Sequence, residues 1–454
     1  MKAYSPAAEP RSARAWLALI VLAGFLLRLW LWWRVPLHQP ANDELEYLQA
    51  ARDLAAARGW ILYERFAWLR APLYPLFLAG SLRLAGGDLR WAALPNLAAG
   101  TISIPLFYLL GRAVVLHSRS PAPDLPRCAT RAGLLAAATS ACLLTFATFA
   151  HLWMAETLWT TLFVAALVLL LRWALRPRLA AAAAAGVLLG LATLTRSAPL
   201  AGFPLVALWM LWQRPRPAPL RPYLAGAAVC ILAALATIAP WTARNWLAYG
   251  GFIPVETGHS YNLWAFNEPR EDEATIFRTL ESIPNPATRS EFATAKGLAR
   301  LREDPTILLR NVRRNWFYLW HVKPIEDRFP RPSYFQDVPF GLFTLSLVLD
   351  DLLYFAILAG AGAALVLSRL TAPRLLLYGW LGYTILVVLL THGEGRYRHL
   401  LYPALIPLAS GVFAGGWWRQ ASSARRVAGV AAAALLLLLP IQSYPYAWAA
   451  TNLA

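Results

Sequence analysis

The chain has 454 residues, of which 58% are hydrophobic and only 15% charged, with a formal net charge of +18. Such a composition excludes a soluble globular protein of this size, and apolar runs that are continuous rather than alternating exclude a β-barrel. The basic excess does not point to nucleic acid, because many of the arginines lie in short clusters between apolar runs, as positive-inside loops do.

The first apolar run, Trp16 to Trp33, follows Lys2, Arg11 and Arg14. It is long enough to span a bilayer and no A-x-A-like site follows, so a retained first helix is expected rather than a cleaved signal. Its internal charge, Arg28, is expected to snorkel. Next comes HQPANDELEY, residues 38–47. Asn42 or Asp43 suits an N-cap and Asp43-x-x-Glu46 suits a capping box; the alternative is that the acids Asp43 and Glu44 carry chemistry. On the helix that follows, Asp43, Tyr47 and Leu54 share a face, so a carboxylate and a phenol project together. Arg70, in WLRAPLYPLFLAG, reads either as a snorkelling arginine or as a guanidinium clamp for phosphate at the bilayer surface.

Spans are expected at 15–35, 91–115, 132–150, 157–174, 179–197, 198–213, 222–241, 341–368, 374–391, 400–418 and 427–441. Basic clusters sit at the N-terminus and at 112–131, 172–178, 214–221, 369–374 and 419–426. All can be cytoplasmic only if residues 71–115 cross once, which makes 71–87 a helix in the outer interface. That parity predicts eleven crossings, with the N-terminus inside and the C-terminus outside. The chain then divides into an N-terminal transmembrane module, 1–241, with an outward loop at 36–90; an outside segment, 242–340; and a C-terminal transmembrane module, 341–454. Within the outside segment, DPTILLRNVRRNWFYLW (304–320) puts Leu308, Val312, Trp316 and Leu319 on one face and Arg310, Arg313 and Arg314 off it, an interfacial pattern. Cys128, Cys142 and Cys230 form no disulfide framework or CxxC pair. No internal repeat and no nucleotide-binding loop is visible.

In this topology Glu156, Arg196, Arg244 with Asn245, and the group Arg396, Arg398 and His399 land at the outer ends of spans. Each alone reads as an ordinary helix-end residue. Their convergence on one side fits chemistry on a lipid-linked phosphate.

The acid pair and Tyr47, then ARGWILYERFAWLRAPLYP, PWTARNWLAYGGFIPVETGHSYNLW and EGRYRHLLYPALIPLA, form an ordered set over most of the chain. In this the chain resembles the GT-C class of polyprenyl-phosphate-dependent glycosyltransferases. Within that class it looks most like bacterial relatives of protein O-mannosyltransferases and of the lipid A aminoarabinose transferase. The resemblance implies an all-α polytopic membrane protein, a GT-C-like bundle with interfacial helices in the first outside loop. It implies transfer of a sugar from a polyprenyl-phosphate-linked donor to a protein, lipid or glycan acceptor at the outer face of the bacterial cytoplasmic (inner) membrane. By the same resemblance Asp43 would be the general base and Glu44 its neighbour that shapes or polarises the site. Arg70, Arg196, Arg244 and Arg396 would bind the donor phosphate, and Tyr47, Glu156, Tyr397 and His399 the substrates. Glu156 departs from the family pattern, which often has aspartate there, Arg196 stands where some relatives have lysine, and Arg244 has no firm role.

No organic cofactor is implied. A divalent cation would have Asp43 or Glu156 to bind; the reading adopted is metal independence, since His392 and His399, seven apart, lack close ligand spacing. The alternative to an enzyme is a secondary transporter or flippase for a lipid-linked or anionic solute. Against it stand the absence of repeats and the mostly uncharged span interiors.

Overall fold

The computed structural model describes residues 10–34, 40, 43–61, 65–116, 124–214, 217–322 and 338–441. Among them the chain is helical and holds no strand. The expected cap Asn42 lies outside the described residues. The N-terminal part comprises α1 (Arg11–Arg34), α2 (Asp43–Ala55), α3 (Leu73–Leu84), α4 (Leu89–Ala92), α5 (Leu94–Leu116), α6 (Leu125–Cys142), α7 (Leu144–Phe149), α8 (Glu156–Leu175), α9 (Leu179–Thr195), α10 (Phe203–Trp212) and α11 (Arg221–Tyr249). A less apolar segment follows, with α12 (Gly258–Ala265), α13 (Glu273–Glu281), α14 (Pro286–Glu303) and α15 (Thr306–Trp320). The C-terminal part holds α16 (Phe340–Leu367), α17 (Ala372–Leu390), α18 (Arg398–Phe413), α19 (Gly416–Gln420) and α20 (Ser423–Ile441).

Seven stretches are long and apolar enough to cross a membrane: α1, Leu89–Leu116, α8, α11, α16, α17 and α20. The chain is thus a multi-pass membrane architecture, with seven such stretches where the sequence led to eleven. The other four expected spans are made of shorter or more polar pieces. α6 opens with Arg127 and Arg131 and stops at Leu143, whose backbone is extended, before α7 resumes. α9 and α10 have 17 and 10 residues, and α18 has 16 with Pro403 and Pro407 inside it. α3, with 12 residues, is about 18 Å long and cannot cross a hydrocarbon core of about 30 Å. It lays Tyr74, Leu78 and Leu82 against Tyr47, Leu48 and Ala51 of α2. α11 runs two turns past the expected boundary at 241 and ends at Gly250, whose left-handed φ of 71° suits a residue without Cβ.

Small residues let the apolar helices close on one another, as membrane bundles require in the absence of a strong hydrophobic drive between helices. Gly186 and Gly190 of α9 face α11 so closely that a Cβ at Gly186 would stand 2.1 Å from the Cys230 carbonyl oxygen. Arg28 does not snorkel. It is fully buried and donates to the Gly24 carbonyl (2.9 Å) and to the Ser140 and Ala141 carbonyls (3.2 Å each). The last two belong to the final turn of α6, whose carbonyls have no helical partner, so Arg28 caps α6 and complements its dipole.

α15 also departs from expectation. Its buried face is Ile307, Asn311, Asn315 and Leu319, one position round from the stripe of Leu308, Val312 and Trp316. The two asparagines turn inward because carbonyls await them. Asn311 donates to Phe266 O and Asn267 Oδ1, and Asn315 to Val388 O and Leu389 O at the end of α17. Leu308, Val312 and Trp316 of the predicted stripe lie part-exposed beside them, with Trp316 39% exposed, while its fourth member, Leu319, is buried.

Candidate active site: an alternating chain of acids and arginines

α2 begins at Asp43, and its first turn carries Asp43, Glu44 and Glu46. Three and four residues apart on a helix are neighbours, so Asp43, Glu46 and Tyr47 stand on adjoining parts of one face. The two acids of the expected capping box spend their oxygens on arginines. Asp43 Oδ1 accepts from Arg70 Nη2 (2.6 Å) and Oδ2 from Arg396 Nη1 (2.5 Å), while Glu46 Oε2 accepts from Arg70 Nε. Arg396 Nε pairs in turn with Glu394 Oε2 at 2.8 Å. The result is an unbroken run, Glu46–Arg70–Asp43–Arg396–Glu394, of three acids and two bases. Asp43, Arg70 and Arg396 retain 19%, 14% and 22% of their side-chain exposure, so these pairs are shielded from solvent far more than surface ion pairs are.

Each arginine is positioned from outside the helix that bears the acids. Arg70 lies in a short non-helical segment pinned on both sides. Leu69 N donates to Thr257 Oγ1 (2.8 Å), Thr257 N donates to Leu69 O (2.9 Å), and the buried Arg289 donates to Phe66 O. Thr257 is itself held by the return of the chain over the end of α11. Trp241 Nε1 donates to Val255 O, Thr242 Oγ1 to Pro254 O and Asn245 Nδ2 to Ile253 O. The polar letters of PWTARNW therefore serve to lay down residues 253–257, which then hold Arg70. Its guanidinium lies over the rings of Tyr47 (5.2 Å) and Trp68 (5.3 Å).

Arg396 sits on a single 3-10 turn, Gly395–Tyr397, between α17 and α18. That loop is set by Gly393, which packs so tightly on α15 that a Cβ there would lie 2.5 Å from Asn315 Cα and O. Behind it His399, 2% exposed, donates Nδ1–H to the Arg396 carbonyl (3.1 Å) and rests on Phe149. His392 stacks on Phe266 at 3.7 Å; burial lowers its pKa to about 4, so the ring is neutral at pH 7.

A second pair joins this run. Glu156, the first residue of α8, accepts from Arg196 at the end of α9. The Tyr397 ring lies 5.8 Å from the guanidiniums of both Arg196 and Arg396 and so bridges the two groups. Asp43, Tyr47, Arg70, Glu156, Arg196, Arg396 and Tyr397, drawn from segments far apart in sequence, are thus gathered at one place. Glu44 is near but turned away: it is 5% exposed and Oε1 accepts from Trp153 N (3.1 Å), which ties α2 to the chain before α8. Arg244 is not in the group; it lies over Trp241 and Tyr249 and beside Asn245. Glu46 and Glu394 are the members not singled out from sequence. The i, i+3 spacing of Glu46 from Asp43 is the available signal, and in sequence it equally fits a capping box.

The charges split the two carboxylates of α2 that meet Arg70. Burial alone would raise the pKa of Asp43, but the guanidiniums of Arg70 and Arg396 outweigh it and hold the group well below the usual carboxylate range. For Glu46 burial wins over Arg70, and its pKa is raised. Burial also raises Tyr47 to about 12. Among the described residues no group of three or more His, Cys, Asp or Glu could hold a metal ion. A cation at Asp43 would have to displace two guanidiniums.

No family model matches the chain, and no curated protein does either. Solved structures of an oligosaccharyltransferase share its fold. The archaeal oligosaccharyltransferase AglB from Archaeoglobus fulgidus, in complex with an inhibitory peptide and a dolichol-phosphate, is 13% identical with a TM-score of 0.54, over 97% of this chain and 56% of that one. The Archaeoglobus fulgidus oligosaccharyltransferase tethered to an acceptor peptide containing the NVT sequon is 15% identical with a TM-score of 0.52, over 97% and 55%. ArnT from Cupriavidus metallidurans in the apo state aligns over 88% of this chain and 78% of its own at 17% identity and a TM-score of 0.37. The chain spans about half the length of the two oligosaccharyltransferases. The chain thus shares its helical-bundle fold with these two oligosaccharyltransferases.

Proposed function

We propose that this chain is a membrane glycosyltransferase that moves a sugar from a polyprenyl-phosphate-linked donor to a protein, lipid or glycan acceptor. The observation that carries the reading is the run Glu46–Arg70–Asp43–Arg396–Glu394 with the Glu156–Arg196 pair beside it. Departure of a lipid phosphate concentrates negative charge on the leaving oxygen, and preorganised guanidiniums stabilise that charge more in the transition state than before it. Attack by a hydroxyl or amine needs a carboxylate to take its proton. Both requirements are met within one half-buried cluster at the ends of apolar helices, where a lipid headgroup would lie. The solved oligosaccharyltransferase of the same fold holds a dolichol-phosphate, which supports a lipid phosphate as the donor's carrier.

Arg70, Arg196 and Arg396 are proposed to contact the donor phosphate, and Tyr47, Glu156 and Tyr397 to border the sugar. His399 acts through the backbone of Arg396. Arg244, outside the cluster, is left with a structural part at the end of α11. The site is proposed to open on the outer face of the bacterial inner membrane, where sugar nucleotides are absent and a lipid-carried donor is the available form. The test is a transfer assay with the full chain in proteoliposomes and a panel of polyprenyl-phosphate-linked sugars. Transfer that is lost in Asp43→Asn at unchanged protein level supports the reading. Full transfer by Asp43→Asn removes Asp43 from the chemistry, and solute uptake with no transfer product favours a transporter.

A further inference from the structure

The two carboxylates one turn apart on α2 have unequal partners. Both oxygens of Asp43 are engaged, one by Arg70 and one by Arg396. Glu46 uses only Oε2, on Arg70 Nε, and its Oε1 accepts no hydrogen bond from the described residues. A proton acceptor needs a lone pair that an incoming hydroxyl or amine can reach. Asp43 has its lone pairs directed at two cations, whereas Glu46 has one oxygen left. Glu46 also faces the outer segment. Trp68, which lies under Arg70, packs at a tilt of 41° on Tyr261 of α12 with ring centroids 4.2 Å apart, and the charge of Glu46 is felt at the Tyr261 phenol. Arg396 lies on the other side, toward Tyr397 and Arg196.

We infer that Glu46 is the catalytic base of this site and that Asp43 is a positioning residue, holding Arg70 and Arg396 toward the leaving phosphate. The inference rests on the glycosyl-transfer reading above. In the step, the acceptor O–H or N–H bond breaks and its proton passes to Glu46 Oε1. The freed electron pair forms the bond to the anomeric carbon, and the carbon–oxygen bond to phosphate breaks with its pair leaving on the phosphate oxygen. The opposite pKa displacements of the two acids agree with this division, since a carboxylate held far below its usual range is a weak base. The charged and titratable groups facing Glu46 are Asp43 on its own helix, Arg70 on the pinned segment, Arg396 on the 3-10 turn and Tyr261 on α12.

The full chain in proteoliposomes, supplied with the polyprenyl-phosphate sugar on which the wild type turns over, tests this. Glu46→Gln is expected to lower kcat by about 10²–10⁴-fold, to leave the affinity for undecaprenyl phosphate unchanged and to abolish the fall in rate at low pH. Formate is expected to restore part of the turnover of Glu46→Ala, a readout that a merely structural role would not move. Asp43→Asn is expected to weaken undecaprenyl phosphate binding, which Glu46→Gln leaves intact. Wild-type kcat in Glu46→Gln, or no formate rescue, overturns the inference and leaves the glycosyl-transfer reading standing. A wild type that transfers sugar from no polyprenyl phosphate overturns both.

Discussion

Gly393→Ala probes how the site is assembled without touching any charged group. A Cβ at residue 393 would stand 2.5 Å from Asn315 Cα and O and 2.8 Å from Asn315 C. All three are backbone atoms of α15, so no rotamer change relieves the clash. Ordinary contact begins near 3.4 Å, which requires the loop and α15 to part by about 0.9 Å, and overpacking of this kind costs about 1–3 kcal/mol. α15 is anchored to α17 by Asn315 Nδ2 on Val388 O and Leu389 O, so the loop is the part that yields. Three residues along that loop is Arg396, whose Nη1 lies 2.5 Å from Asp43. A misplacement near 1 Å in a positioned group costs on the order of 10²-fold in rate. The expected result is therefore a modest loss of thermal stability and a loss of transfer of about that size. The assays are thermal unfolding in detergent and transfer from a polyprenyl-phosphate sugar in proteoliposomes. Wild-type stability and wild-type transfer in Gly393→Ala would refute the packing of this loop on α15 and its hold on Arg396.

Asp43→Asn removes the charge that meets two guanidiniums, and hydrogen bonds to charged groups contribute about 1.5–3 kcal/mol each when kept from solvent. The folded pKa of Asp43 is depressed, so its stabilisation is present above its unfolded value near 3.8 and lost as pH falls through the folded one. The stability gap between wild type and Asp43→Asn should accordingly be widest near neutrality and close on acidification below about pH 4, as followed by unfolding in detergent. Gly186→Ala forces α9 away from the Cys230 carbonyl and should lower the midpoint of thermal unfolding, by about 1–3 kcal/mol in stability. Arg28→Met uncovers the Ser140 and Ala141 carbonyls at the end of α6 and should destabilise the protein by about 1–3 kcal/mol, with Arg28→Lys restoring part of the loss.

The helices were legible because apolar runs of this length admit few other structures in a membrane, and most predicted ends agree within a few residues. α8 was expected at 157–174 and spans Glu156–Leu175; α16 was expected at 341–368 and spans Phe340–Leu367. The span count was less legible, since hydropathy does not reveal a break such as Leu143 between α6 and α7. The face of α15 was misjudged for a different reason. Asparagine counts as polar in any periodicity, yet Asn311 and Asn315 are buried because tertiary partners supply carbonyls. Arg28 is the same case in a membrane helix. Within the site, the individual residues were visible but their pairing was not. Asp43 and Arg396 are 353 residues apart, and no local pattern reports that contact. Arg244 illustrates the converse: a position at a helix end near the right landmark does not fix where a long side chain lies.

The proposed reaction breaks the bond between a sugar and a lipid phosphate. The full chain in proteoliposomes, given a polyprenyl-phosphate sugar labelled in both the sugar and the lipid together with envelope acceptors, tests it most directly. Labelled acceptor and free polyprenyl phosphate are expected in equal amounts, with both lost in Asp43→Asn. Movement of the intact lipid-linked sugar across the bilayer, with no free polyprenyl phosphate formed, would contradict it.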